Sequence, residues 1–308
     1  MATVKTVFGE ISGDELGIVD YHEHLYFDAP AWLLREDRDF TLNNVEKSAD
    51  ELRSWARAGG KTIIECSAID FGRDIHAVRQ IAELVPEVNV IALTGFNKPY
   101  YCDKSVFETS DEDHIRRCVQ DITEGIDGTD YRAGIIKGGT GYNTMNDQDQ
   151  KLMRIAAEVH LETGAPVLTH TEAGTMGLEQ VEFLAEYGVE SSRVVLSHMD
   201  RNPDFWVHKN LAQTGVFLGY DCPGKFKYGP DEIRVNLLKR MVEAGFGKNI
   251  LLGNDLGRPS YWRSYGGGPG LDYVLTRYVA RLKDEGISDE AIEDLLVKNP
   301  RRWLAGEK

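Results

Sequence analysis

Along the chain, short runs of β-branched and apolar residues alternate with longer amphipathic stretches. The runs are "GIVDYHEHL" from Gly17, "KTIIECSA" from Lys61, "NVIALTGF" from Asn89, "AGIIKGG" from Ala133, "APVLTHTEA" from Ala165, "RVVLSHMD" from Arg193, "GVFLGYD" from Gly215 and "NILLGND" from Asn249. They are continuous rather than alternating, which predicts parallel strands covered on both faces. Between them, "NNVEKSADELRSWARAGG" and "NDQDQKLMRIAAEVHLETG" carry helical spacing. In the second, Leu152, Ile155, Ala156 and Val159 fall at i, i+3, i+4 and i+7, and Gly164 is placed to cap the C-terminus.

Eight β-then-α units with no linker between halves predict a closed (β/α)8 barrel of the TIM type, formed by residues 1–308 as a single domain. No GxGxxG follows the first strand, so a dinucleotide-binding sheet is not expected. The stretch "SDEAIEDLLVKNPRRWLAG" from Ser288 predicts a last helix that closes the outside. The period is topological, because no sequence repeat links the units.

The formal net charge of −15 and pI near 5.0 exclude nucleic acid and acidic membrane surfaces as general partners, since the overall field repels both. Neither an apolar leader nor an uninterrupted run of about 18 apolar residues is present, and a cytoplasmic protein is expected. Cys66, Cys102, Cys118 and Cys222 form no CxxC pair and are read as reduced thiols. Cys66 is expected in the core, and Cys222, just past a strand end, is a candidate to line a site.

In a barrel of this kind the active site collects where strands end and βα loops begin. The first strand ends in His22 and His24, which share a side because side chains alternate along a strand. The fourth carries Lys137, the fifth His170, the sixth His198 and the eighth Asp255. A lone histidine at a strand end is an ordinary polar residue; this joint placement predicts a metal site, since imidazole and carboxylate ligands suit Zn, Mn, Fe or Co. Lys137 is the odd member, because an ammonium repels a metal. Carboxylation by CO2 would turn it into an anionic carbamate able to bridge two ions, whereas an ion pair with Asp255 or another carboxylate would make it purely structural.

The order HxH, Lys, His, His, Asp resembles the phosphotriesterase family of the amidohydrolase superfamily, and the likeness runs through nearly the whole chain to the closing "NPRRWL". The resemblance implies a binuclear metal-dependent hydrolase. His22, His24 and Asp255 would hold the more buried ion, His170 and His198 the more exposed one, and carboxylated Lys137 would bridge them, with Zn favoured over Mn, Co or Fe. It further implies that a bridging hydroxide attacks the substrate carbonyl while Asp255 shuttles the proton, and that the protein is a homodimer.

The segments "TGFNK", "HTEAGTM", "HMDRN", "GKFKYGPD" and "YGGGPGL" resemble a branch of that family acting on phosphorylated sugar lactones. Such a substrate needs a cationic pocket, and the loops after the seventh and eighth strands are the favoured phosphate site in barrels. Lys225, Lys227, Tyr228, Arg258 and Arg263 lie there, with Lys98, Arg201 and Asn202 as further candidates at other strand ends. By itself the Lys225/Lys227 pair reads as a solvated loop; Arg258, three residues after Asp255, shifts the reading toward bidentate phosphate recognition. The bulky polar "LGRPSYWRSY" argues against long acyl-chain lactones. The expected substrate is a small-molecule lactone of the aldono-1,4-lactone 5-phosphate type; the alternatives are a phosphotriester or an unphosphorylated lactone.

Overall fold

Each of the eight apolar runs forms a parallel strand in the computed structural model, which describes residues 2–307. After an antiparallel hairpin, β1 (Thr3–Thr6) and β2 (Gly9–Ser12), come β3 (Val19–Glu23), β4 (Thr62–Glu65), β5 (Asn89–Gly95), β6 (Ile135–Gly139), β7 (Val167–His170), β8 (Val194–Leu196), β9 (Phe217–Tyr220) and β10 (Ile250–Leu252). Neighbours in sequence are neighbours in the sheet, from β3 through to β10. The register is set by pairs such as Ile63 with Val90, Leu93 with Ile135, Leu168 with Val195 and Leu251 with Gly219. Helices lie between the strands, so the architecture is a (β/α)8 barrel.

Strand parity explains the continuous apolar runs. Val19, Ile64, Ile91, Leu93, Ile135, Leu168, Val195, Phe217 and Leu251 point inward and fill the barrel. Ile63, Val90, Ile136, Val167, Leu196, Leu218 and Leu252 point outward and pack beneath the helices. The outer helices start at polar caps: Asn44 accepts from Lys47 N at 3.0 Å and Asp74 from Ala77 N at 3.0 Å. The helix Asp147–Thr163 ends at Gly164, whose φ of +68° is the left-handed cap its sequence predicts.

Closure of the barrel differs from its other junctions. Among the described residues, β3 and β10 share no strand ladder; instead Asp255 N donates to His22 O at 2.9 Å, and two carboxylates of β3 reach across. Asp20 accepts from Asn254 Nδ2 at 2.6 Å, and Glu23 accepts from Leu256 N at 2.7 Å. The seam is therefore stitched by side chains of the first strand to backbone and side-chain groups at the end of the last.

The hairpin β1–β2 is a finding the hydrophobic pattern does not announce, because both strands are four residues long and much of their surface is exposed. It covers the amino-terminal end of the barrel, where Val4 packs with Leu16, Val19 and Trp303 and Val7 N donates to Val90 O at 2.9 Å. The closing helix is present at residues 289–305 with a π turn at Asp294–Lys298. Among the described residues, no helix is long and apolar enough to cross a membrane.

Candidate active site

At the carboxyl ends of the strands the predicted histidines converge. His24 Nε2 lies 3.5 Å and His22 Nε2 3.9 Å from Asp255 Oδ1, so the three donors face one point. His170 Nδ1 and His198 Nε2 stand 3.0 Å apart and face a second. All four imidazoles are buried, and burial drives the His22 pKa down to about 3 and that of His170 well below the usual imidazole value. Neutral imidazoles are the form that binds a metal.

The far nitrogen of each ring is fixed by a group the sequence reading did not single out. Asp221, fully buried at the end of β9, accepts from His22 Nδ1 at 3.0 Å, His198 Nδ1 at 2.8 Å, His198 N at 3.2 Å and the Tyr21 hydroxyl. Ser67 Oγ lies 3.1 Å from His24 Nδ1, and Glu172 Oε2 lies 3.0 Å from His170 Nε2. Such partners fix the tautomer and aim the opposite nitrogen at the cavity. Asp221, His22 and His198 could also cluster around a cation on their own. Both Asp221 oxygens are already occupied by imidazole Nδ1 atoms, however, and the residue does not line the cavity.

Lys137 is buried among these groups, and its Nζ meets no hydrogen-bonding atom among the described residues. Burial pulls its pKa down. The ion pair with Asp255 considered as its structural role does not form, because Lys225 takes that place: its Nζ lies 2.6 Å from Asp255 Oδ2 and 2.8 Å from Asp255 O. Burial would raise the Asp255 pKa, but the Lys225 ammonium beside it outweighs this and holds the carboxyl well below its usual range. An amine without a partner, beside four buried imidazoles and an ionised carboxylate, fits the donor set of a two-ion site closed by a carbamate.

Asp255 and His198 both adopt left-handed backbone, with φ of 49° and 61°. Non-glycine residues avoid that region at a cost of roughly 1–3 kcal/mol, and here it turns both side chains toward the cavity just as their strands end.

A cavity of about 120 Å³ opens above the histidines. Phe40, Phe71, Tyr101, Tyr228 and Tyr261 form aromatic walls, and Lys98, Arg201, Lys225 and Arg258 supply the cations. Lys98 and Arg201 both hold Glu172, Arg201 at 3.1 Å, and the Arg201 guanidinium lies 4.3 Å from the Tyr228 ring centre.

Several expected residues are placed differently. Lys225 is not a loop lysine open to a ligand: it is buried and committed to Asp255. Arg263 lies outside the cavity, half exposed, and pairs with Asp272 at 2.8 Å. Lys227 is exposed at the rim, 4.7 and 5.5 Å from the ring centres of Tyr228 and Tyr261. Asn202 does not line the cavity; its Nδ2 donates to Gly174 O at 3.4 Å. Cys222 sits behind Asp221, its Sγ 3.6 Å from Oδ1, rather than lining the cavity. Cys66 is in the barrel core, as expected.

With this geometry in hand, comparison with known proteins gives a consistent picture. The "Phosphotriesterase family" profile matches residues 2–304. A phospho-furanose lactonase of Mycoplasmopsis synoviae is 37% identical over 98% of this chain and 91% of its own length. A lactonase structure from Listeria monocytogenes superposes with a TM-score of 0.95 at 32% identity, covering 100% of both chains. The phosphotriesterase homology protein of Escherichia coli, solved with phosphate in its active site, superposes with a TM-score of 0.90 at 30% identity over 94% of this chain and 99% of its own. The chain is therefore a hydrolase that belongs to the phosphotriesterase family, a family of metal-dependent enzymes.

Proposed function

We propose that this protein hydrolyses the ring ester of a phosphorylated sugar lactone, of the aldono-1,4-lactone 5-phosphate type, to the open-chain phosphorylated acid. The observation that carries the reading is a single cavity with converging imidazoles at its buried floor and Arg258, Tyr228 and Tyr261 around its walls, with Lys227 at the rim. The names of two relatives, phospho-furanose lactonases at 35–37% identity, support the same substrate class.

His22, His24 and Asp255 would hold one divalent ion, His170 and His198 the other, and Lys137, carboxylated by CO2, would join them; Zn suits the donors best, with Mn, Co or Fe also compatible. Bound there, the ions supply polarisation of the ester carbonyl and activation of water. The chain's own residues do the rest. As water adds and the ring C–O bond breaks, Asp255 accepts the proton of the attacking water and passes it to the departing ring oxygen, while Lys225 holds the carboxylate in line. Arg258, Lys227 and the two tyrosine hydroxyls grip the remote phosphate, and their binding energy orients the reacting carbon. Phe71, stacked on His24 at 4.8 Å between ring centres, keeps water off that face. The family resemblance supports one barrel domain acting as a homodimer, and four cysteines without a disulfide fit a reducing, cytoplasmic setting.

The test compares the metal-loaded protein on matched sugar lactones with and without a 5-phosphate, beside an organophosphate triester and an acyl homoserine lactone. The expected result is a preference of a hundredfold or more for the phosphorylated lactone, about 2.7 kcal/mol at the transition state. Turnover of the triester alone would support the phosphotriesterase reading, and turnover of none would leave a binding barrel.

A further inference from the structure

Arg258 does not stand alone on the cavity wall. Its Nη1 is held by the Asp37 carboxylate, with Asp39 Oδ2 4.0 Å away. Both aspartates follow the short helix Ala31–Glu36 in the loop after β3, whereas Arg258 lies in the loop after β10. The two loops are clasped again two residues on, where Asp39 accepts from Ser260 N at 3.0 Å and from the Ser260 hydroxyl. Beneath the guanidinium lies the Phe40 ring, 5.4 Å from its centre.

The side from which Asp37 approaches matters. Arg258, Phe40 and Tyr101 line two cavities: the main one, and a second also lined by Asp37, Leu33 and Glu36. Asp37 lines only the second. It therefore grips the guanidinium through Nη1 from the side of the second cavity, and Nε and Nη2 make no hydrogen bond among the described residues.

We propose that Asp37 is a positioning residue that sets specificity for phosphate: it locks Arg258 on the Phe40 ring with one edge of the fork turned to the substrate's phosphate. The inference rests on the phosphorylated-lactone reading above. An unrestrained arginine must give up side-chain freedom each time it binds an anion, and anchoring it in advance removes that cost. Asp37 also places a negative charge near the phosphate, which opposes binding. The carboxylate is 43% exposed, so water screens this repulsion, and the anchoring prevails.

The experiment is a double-mutant cycle on the metal-loaded protein with Asp37→Asn, Arg258→Ala and the pair, each assayed on lactones with and without a 5-phosphate and for inhibition by inorganic phosphate. In Asp37→Asn the KM ratio of phosphorylated to unphosphorylated lactone is expected to rise three- to tenfold, with a parallel rise in the phosphate inhibition constant. Asp37→Glu should recover most of the effect. In the Arg258→Ala background Asp37→Asn should add less than twofold. A lower KM ratio in Asp37→Asn would show that Asp37 competes with phosphate and would overturn the proposal. An effect of undiminished size without Arg258 would reduce Asp37 to a structural clasp and also overturn it. If Asp37→Asn fails to fold, Asp37→Ser takes its place in the cycle, with the same rise expected and the same two outcomes refuting the proposal. Failure of the underlying reading looks different: the unmodified protein would then show no phosphate preference, and both would fall.

Discussion

Asp221 is the residue whose loss should cost most for the smallest change in shape. Replacing it with Asn keeps the volume but leaves one acceptor oxygen where two stood. Those oxygens now take His22 Nδ1 at 3.0 Å and His198 Nδ1 at 2.8 Å, one ring from each half of the site. The amide NH2 would face one of these N–H groups, donor against donor. The relief available to that imidazole is to move its proton to Nε2, the nitrogen aimed at the cavity, and a protonated Nε2 cannot bind a metal. Supporting contacts of this kind are worth about 10–100-fold in metal affinity, or roughly 1.4–2.7 kcal/mol, for each ring they serve. Because Asp221 serves two, Asp221→Asn should weaken metal retention by at least about tenfold, and by about a hundredfold or more if both rings respond. Graded chelator competition, with bound metal counted by elemental analysis and the fold followed by circular dichroism, measures this directly. A folded Asp221→Asn protein that keeps both ions at the wild-type chelator midpoint would refute the reasoning.

The remaining predictions address other parts of the molecule. Lys137→Ala should lose a thousandfold or more of the hydrolytic rate, and short carboxylic acids such as acetate or propionate should restore a measurable part; absence of rescue alongside intact metal content would argue against a carbamate bridge. His208, buried between Asn202 O and the Tyr220 hydroxyl, has its pKa lowered by burial to about 4. Its neutral form favours the fold, so the stability it contributes is complete above the unfolded value near 6.5 and is lost as pH falls toward 4, about 3 kcal/mol in all. Urea unfolding of His208→Gln should show a correspondingly shallower loss between pH 7 and pH 4, and identical slopes would refute the assignment. Glu51, buried, accepts from Ser264 N at 2.8 Å and Leu271 N at 3.0 Å in the loop after β10. Glu51→Gln turns an NH2 against one of these donors and should lower unfolding free energy by about 1–3 kcal/mol, read by denaturant titration.

How much of this was legible in the chain follows from how each feature is encoded. The eight barrel strands carry apolar residues on both faces, so every one appears as an unbroken run; the β1–β2 hairpin, with four-residue strands and little buried surface, leaves no comparable trace. The histidines were legible because a strand's end fixes where a side chain goes. Asp221 and Glu172 stood just past the ends of β9 and β7, within segments already noticed, yet nothing in the sequence distinguishes a carboxylate behind the imidazoles from one in a loop. Loops lack a period, so the direction of a charge is set by the partner it finds. Arg263 finds Asp272 and leaves the cavity, while Lys225 finds Asp255 and is drawn beneath it.

The side-chain stitching of β3 to β10 also bears on how the molecule comes to exist. The residues it joins are more than 230 positions apart, as in Asp20 with Asn254 and Glu23 with Leu256. Contacts of such separation carry a large loop-closure entropy and form late, after neighbouring strands have already paired. His22, His24 and Asp255 lie on the two edges of that same gap, so a chain emerging during synthesis can hold most of its barrel and still possess no working centre. Catalytic competence therefore requires the closure that brings the edges of β3 and β10 together.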